Sequence, residues 1–482
     1  MWYNKKMSNY WLLILIVSQP LLDVLAFFTA SEKGTAAGYI RLGIMLCCGI
    51  YLLIKKRRSR GALIWGSLFA LVFILHIANS FRTGYISLTR DLSYISRVAY
   101  MPLMAIFFCS CADESNITAQ MKKGILINAA ITACVIIISY ISGTYTYTYG
   151  EGLGISGWVT VDNRCCHSDI LSTLMIFAAC FAQERRSKWL NVLLPLCIFA
   201  LMYTNGTRAC YYTLFAICAA YPVYIIISSA IKKEWPGENR RIAACTFALL
   251  FAAAIIAYPY SPRAKEEEYK NSHFSAVESE FAEKMAALGY DIYSMSYEEK
   301  TQDPVFYEAL KEYYNAFCYG GIEQIVENFE LEDIIAKYGA TVDSGILGNT
   351  RTMKQKYASL IYDTTDGLTH LFGFEIARLG EDMVVDMEND YFAIFYYYGF
   401  FGLAVYLAGA AYLLFRVLRK LAAEGLKSCL TDLNFCLLLT LGIQLGLAYF
   451  SGAMLRRPNA SIYFALITGM LYYETERNSC CV

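Results

Sequence analysis

No glycine-rich nucleotide loop and no zinc-protease or nucleophile-triad signature occurs in the 482 residues, which sets aside nucleotide-driven and familiar hydrolytic chemistry. A disulfide framework is missing too. Many of the seventeen cysteines lie inside apolar runs (Cys47, Cys134, Cys180, Cys197, Cys218, Cys245), and the long polar segment holds only Cys318. Inside an apolar run a thiol acts as a small apolar group. Cys165-Cys166-His167 has metal-binding residue types, but adjacent cysteines lack the C-x₂-C spacing of a metal site. No metal and no other cofactor is therefore expected. Cys480-Cys481-Val482 lacks the Cys-a-a-X arrangement that directs prenylation. No internal repeat of the kind that marks inverted-repeat transporters is present, and no nucleic-acid partner is expected. The first apolar run continues too far for a leader and has no small-residue cleavage site, so it reads as a retained span.

What the chain has in excess is apolar surface: 57% hydrophobic residues, 15% aromatic, and a mean hydropathy of +0.39. A water-soluble chain of this length does not normally carry so much, so lipid is the expected solvent. A helix needs about 20 apolar residues to cross a bilayer. Twelve runs qualify approximately: 10–29, 37–54, 61–79, 94–111, 124–142, 168–183, 189–204, 209–230, 242–259, 391–415, 432–450 and 461–474. The fold class is all-α, a polytopic membrane protein of about twelve transmembrane helices. Basic clusters at 5–7, 55–60, 121–123, 184–188, 232–241 and 416–420 fall in alternate connections. The excess of Lys and Arg on one side marks that side as cytoplasmic. Both termini are expected inside, in the cytoplasmic (inner) membrane.

The formal charge of zero hides an asymmetry. Residues 260–390 hold 26 Asp/Glu against 11 Lys/Arg, a net −15, so the rest of the chain is +15. This acidic segment lies between the ninth and tenth spans, on the external side. SAVESEFAEKMAALGYDIY places Val277, Phe281, Met285 and Leu288 at helical spacing, and IEQIVENFELEDIIAKYGA does the same with Ile322, Ile325, Val326 and Phe329. Three parts follow: spans one to nine (1–259), a large, mostly helical external loop domain (260–390), and spans ten to twelve with a cytoplasmic tail (391–482).

Ionisable residues within spans raise a functional hypothesis by default. Asp23 sits well inside the first span, three residues after Pro20, where a kink is expected. Its simplest role is to pair with Arg41 or Arg97. Arg97, Arg164 with His167, and Arg208 after the Asn205-Gly206 turn all fall at the outer interface. Interfacial arginines often only reach for lipid headgroups. A converging set, however, suits phosphate, because the guanidinium donates two parallel hydrogen bonds and keeps its charge. Arg351 opens a helical stretch with Thr350 as a candidate cap, and Gly367 and Gly373 punctuate a turn. Asp386, Glu388 and Asp390 then stand where the chain returns to the membrane. A carboxylate at a partly dry interface suits a general base; equally, Asn389 or Asp390 suits the cap of the following helix.

Four stretches carry a resemblance. SQPLLDVLAFF is similar to a Gln-Pro-x-x-Asp element, and TNGTRACYYTLFA to a (T/S)-R-(A/G) turn. NTRTMKQKY followed by LFGFE is similar to an arginine-plus-aromatic helix and a glycine turn. ENDYFAIFYYYGFFGLAVYL is similar to a His-Asn-x-(Tyr/Phe)…Gly-x-x-Gly entry into the span after the loop. In this order they resemble the bacterial O-antigen ligase and O-antigen polymerase-like membrane proteins. The resemblance implies a glycosyltransferase that moves a glycan from undecaprenyl pyrophosphate to an acceptor hydroxyl at the outer membrane face, without metal or nucleotide. It implies that Arg208 and Arg351 hold the pyrophosphate and that Asn389 matches directly. Where the family has its loop histidine this chain has Glu388, which then takes the base role or leaves acceptor activation to other means. Arg97, Arg164, His167, Asn389, Asp390 and Asp23 are the further candidate substrate-binding residues. The expected partners are the lipid-linked glycan donor, a glycan or other surface acceptor, and membrane lipid. The competing class is a transporter or flippase of lipid-linked glycan, which should carry its polar residues at the midplane; here they gather at the outer interface.

Overall fold

The computed structural model describes residues 10–30, 36–54, 60–112, 117–149, 152–159, 164–182, 184, 187–319, 329–380, 387–452 and 454–476. Each of the twelve apolar runs forms a helix. The first nine are α1 (Trp11–Phe28), α2 (Ala36–Ile54), α3 (Arg60–Thr83), α4 (Leu88–Cys111), α5 (Ile117–Ile141), α6 (Arg164–Cys180), α7 (Leu190–Asn205), α8 (Arg208–Lys232) and α9 (Glu238–Ala257). The acidic segment follows as α10 (Pro262–Ala286), α11 (Tyr297–Gln302), α12 (Pro304–Tyr314), α13 (Leu331–Tyr338), α14 (Ser344–Leu347), α15 (Thr350–Thr364) and α16 (Gly367–Phe372). Last come α17 (Asp390–Cys429), α18 (Asp432–Phe450) and α19 (Pro458–Glu476). Among the described residues, nine helices are long and apolar enough to cross a membrane, while α6 and α7 are apolar but shorter. The all-helical polytopic class holds, with nine clear candidate spans against the twelve expected.

α6 is also enclosed by other helices. It packs against α5, α7, α8, α18 and α19, and residues 166–180 are buried throughout. A helix with no lipid-facing side does not need an apolar surface all round, and small polar residues serve as interhelical hydrogen bonders. Ser168 shares a 2.6 Å hydrogen bond with the Thr207 hydroxyl, and Ser172 donates to Thr213 at 2.7 Å. Asp169, wholly buried on the same helix, accepts from the Gln444 amide of α18 at 3.3 Å.

The chain divides into two compact units. One comprises Met1–Ser67, Ser96–Lys265 and Leu407–Val482; the other comprises Leu68–Ile95 and Glu266–Tyr406. In the first unit the local logic of α1 is set by Pro20. Proline has no N–H, so the carbonyl four residues earlier, that of Ile16, loses its helical donor. The Asn128 amide of α5 supplies one at 3.0 Å and also donates to the Tyr463 hydroxyl of α19 at 2.5 Å. Gly124 lets α5 come this close: a Cβ there would stand 3.0 Å from the Ile16 Cβ. One turn beyond the proline, Asp23 meets Arg41 at 2.6 Å, and both side chains are only 6% exposed. Arg41 also donates to the Gln19 side chain at 3.2 Å and to its carbonyl at 3.3 Å. Of the two partners expected for Asp23, Arg41 is the one found.

In the second unit the amphipathic reading of α10 holds through Met285. Phe281 and Met285 are buried, with Phe281 stacked on Tyr313 at 4.3 Å. Leu288 departs from it: the helix stops at Ala286, and Leu288 is exposed in the turn that follows. Ile322, Ile325 and Val326 lie outside the described residues. Phe329, from the same pattern, stacks on Tyr357 of α15.

Removing one member of a buried ion pair strands the other, at about 3–5 kcal/mol. Arg41→Leu is therefore expected to lower the melting temperature sharply, and Asp23→Leu/Arg41→Leu to recover most of the loss. Thermal unfolding in detergent checks this; a double variant no more stable than the single one counts against the pairing as the role of Asp23.

Candidate functional site

The second unit brings two of the sequence-predicted residues into contact. Asn349 precedes α15 and its side chain accepts from the N–H groups of Arg351 and Thr352, so the cap stands one residue before the expected Thr350. Residues three apart on a helix share a face, and Arg351 and Lys354 both turn toward Glu388. The Arg351 Nε lies 2.6 Å from Glu388 Oε2, and the Lys354 Nζ lies 3.7 Å from Oε1. Arg351 and Glu388 are each about one-third exposed, at 33% and 32%. Asn389, next in sequence, caps α17: its Oδ1 accepts from the Phe392 N–H at 3.0 Å. Asp390 is the buried first residue of that helix. The helix cap and the ion-pairing carboxylate are thus different residues. Asp386 lies outside the described residues.

What holds this return segment is a backbone crossing. Gly373 (φ +81°) and Gly399 (φ +69°) both adopt a conformation that costs an L-residue about 1–2 kcal/mol. A Cβ on Gly373 would overlap the Tyr397 carbonyl, and one on Gly399 would overlap the Leu371 carbonyl. With neither present, the Phe374 N–H donates to the Tyr396 carbonyl of α17 at 3.2 Å. The end of α3 then clasps the same turn. His76 Nδ1 stands 3.2 Å from the Phe372 carbonyl, which can only accept, so the ring donates there. His76 Nε2 faces both oxygens of Asp91, which also accepts from Tyr85 at 2.7 Å. Asn79 donates to the Gly373 carbonyl at 2.9 Å, and Arg378 returns a bond to the Thr83 carbonyl at 2.9 Å. The buried Glu375 carboxylate accepts from the N–H groups of Ile86 and Ser87, capping α4 from almost 300 residues away. Arg82 pairs with Asp366 at 2.7 Å. This hydrogen bond, followed by those from the Thr369 hydroxyl and N–H, holds the Asp366 carboxyl well below the usual aspartate range. Its stabilising contribution is complete above the ordinary value of about 3.9. It drains away as the pH falls from there toward the lowered one.

The remaining candidates belong to the first unit. Arg208 is the exposed first residue of α8, directly after Thr207, whose hydroxyl accepts from the Cys210 N–H at 3.1 Å. Among the described residues Arg208 has no ion-pair partner. Arg97 is half-buried on α4. Arg164 opens α6, with its side chain outside the described part. His167 is buried one turn further on, and its Nε2 has no partner among the described residues. Asp23 is not gathered with these groups, being committed to Arg41.

A family described as O-antigen ligase like membrane protein matches residues 5–478, nearly the whole chain. The chain belongs to that family. No curated protein matches it at a significant level. As an O-antigen ligase-like protein it is a polytopic integral membrane protein of glycosyltransferase type, acting in the ligation of polysaccharide.

For this O-antigen ligase-like chain, sequence reasoning missed the clasp. Of its members only Phe372, Gly373 and Glu375, in LFGFE, lie in a stretch that carries the resemblance, and none was given this role. The available signal was His76, an ionisable residue inside a span.

The crossing predicts a contrast between glycines. Gly399→Ala is expected to destabilise the protein by at least about 1–2 kcal/mol, because its Cβ meets backbone that cannot rotate away. Gly442→Ala, on α18 with open space around it, is expected to be tolerated. Melting curves of the two variants in detergent decide; equal stability would show that the crossing is not tight.

Proposed function

We propose that the chain transfers a glycan from undecaprenyl pyrophosphate to an acceptor hydroxyl on the outer face of the cytoplasmic membrane, with residues 260–390 external and both termini inside. The observation that supports this most directly is the convergence of Arg351 and Lys354 on one anionic group where the loop returns to the membrane. In this reading Arg351, with Lys354 added, holds the diphosphate, and Arg208 is a separate candidate for the same role. Neutralising diphosphate charge makes it a better leaving group, as preorganised donors do for any oxyanion that develops during reaction. The acceptor oxygen forms a bond to the anomeric carbon while the bond from that carbon to the diphosphate oxygen breaks. The electron pair of the broken bond departs with the polyprenyl diphosphate, and the acceptor proton passes to the Glu388 carboxylate. Arg97, Arg164, His167, Asn389 and Asp390 are proposed to line the path of the donor. A product that joins like glycans makes the enzyme a polymerase, and a different acceptor makes it a ligase.

Arg is not replaceable by Lys where a planar fork is needed. Arg208→Lys and Arg351→Lys are each expected to lower surface glycan assembly on the order of 10²-fold, with protein level unchanged. Gel profiles of surface glycan from cells carrying each variant provide the measurement; normal chains in both would sink the clamp.

A further inference from the structure

We infer that Glu388 and the donor's diphosphate compete for the same two cations, so that binding the donor releases the carboxylate that then serves as base. This rests on the reading above and adds an order of events to it. The geometry points this way in three respects. First, Glu388 presents a two-oxygen fork, one oxygen to Arg351 and the other to Lys354. A phosphate offers the same pattern of acceptors with more charge. Arg351 Nε makes a close bond at 2.6 Å, whereas Lys354 at 3.7 Å is attracted without a hydrogen bond, which leaves room for an anion that engages both.

Second, the pair is exchangeable. At about one-third exposure it resembles the solvent-accessible ion pairs that contribute little to stability, well within what a diphosphate carrying two or more charges can displace. A buried pair such as Asp23–Arg41 would not yield in this way.

Third, the released carboxylate has nowhere far to go. Met387 on one side is buried, and Asn389 on the other is fixed as the cap of α17. Glu388 can rotate its side chain but cannot leave, and so it remains within a side-chain length of the cations that held it. A carboxylate bound to a guanidinium is poorly placed to take a proton; one displaced by the donor is free to do so. Proton acceptance is thereby restricted to molecules that already hold a leaving group.

The test uses the full-length protein in phosphatidylcholine nanodiscs and inorganic pyrophosphate as the probe, titrated calorimetrically. Glu388→Gln keeps the shape and removes the competing charge, and it is expected to bind pyrophosphate roughly two- to fivefold more tightly than the wild type, the range that a solvent-accessible pair supports. Arg351→Gln is expected to lose binding. If Arg351→Gln loses binding while Glu388→Gln binds no better than wild type, the competition is overturned and the phosphate clamp stands. If neither wild type nor Glu388→Gln binds pyrophosphate, or if Arg351→Gln leaves binding unchanged, the clamp itself is overturned. A parallel arm adds phosphatidylglycerol to the disc. A Glu388→Gln gain that appears only toward that lipid assigns the cations to a headgroup and overturns the assignment to the donor.

Discussion

Two strands of backbone pass through one another's van der Waals space at Gly373 and Gly399, and the second unit is organised around that passage. The Phe374–Tyr396 hydrogen bond is possible only because neither residue at the crossing has a side chain. Once the turn is seated there, its carbonyls and N–H groups need partners, and the end of α3 provides them through His76, Asn79, Arg82 and the loop that follows. Glu375 completes the exchange by capping α4. The segment that bears Glu388 enters α17 at Asp390, six residues before Tyr396, so its position is inherited from this contact. Arg351 approaches it from α15, whose start is fixed by Asn349.

The first unit solves a different problem by a similar rule. A proline inside a span frees a carbonyl, and lipid cannot satisfy it. Here the amide of Asn128 does so, and the same side chain continues to Tyr463 on the last helix. The charged pair Asp23–Arg41 lies one turn on, with Gln19 accepting from the arginine and donating to the Leu15 carbonyl of α1. Polar groups within this part of the molecule act as joints between helices, each with a named partner.

Much of the architecture was legible in the sequence because lipid imposes a strong pattern. Twelve apolar runs became twelve helices, Asp23 found one of its two expected partners, and Arg351 and Glu388, named together as a site, meet at 2.6 Å. What stayed hidden shares one physical cause: the deciding partner lies far away in sequence. Which of Asn389 and Asp390 caps α17, and that Glu388 pairs instead with Arg351 37 residues earlier, cannot be read from these neighbours alone. The clasp joins residues near 80 to residues near 370, and each of its members alone passes for an ordinary interfacial polar group. Hydropathy, in turn, registers only apolar character, and the Ser168, Ser172 and Asp169 side chains of α6 are hydrogen-bonded to neighbouring elements that it does not identify.

The enclosure of α6 also bears on how the protein is made. As the chain emerges, α6 carries Asp169, Ser168, Ser172 and Thr173 into the bilayer, and one of its partners, Gln444, lies 275 residues downstream. Until α18 arrives, Asp169 lacks its only hydrogen-bond donor among the described residues. α6 therefore stays incompletely partnered until α18 has been made. The surroundings of α6 are thus completed only after the acidic segment between α9 and α17 has been synthesised.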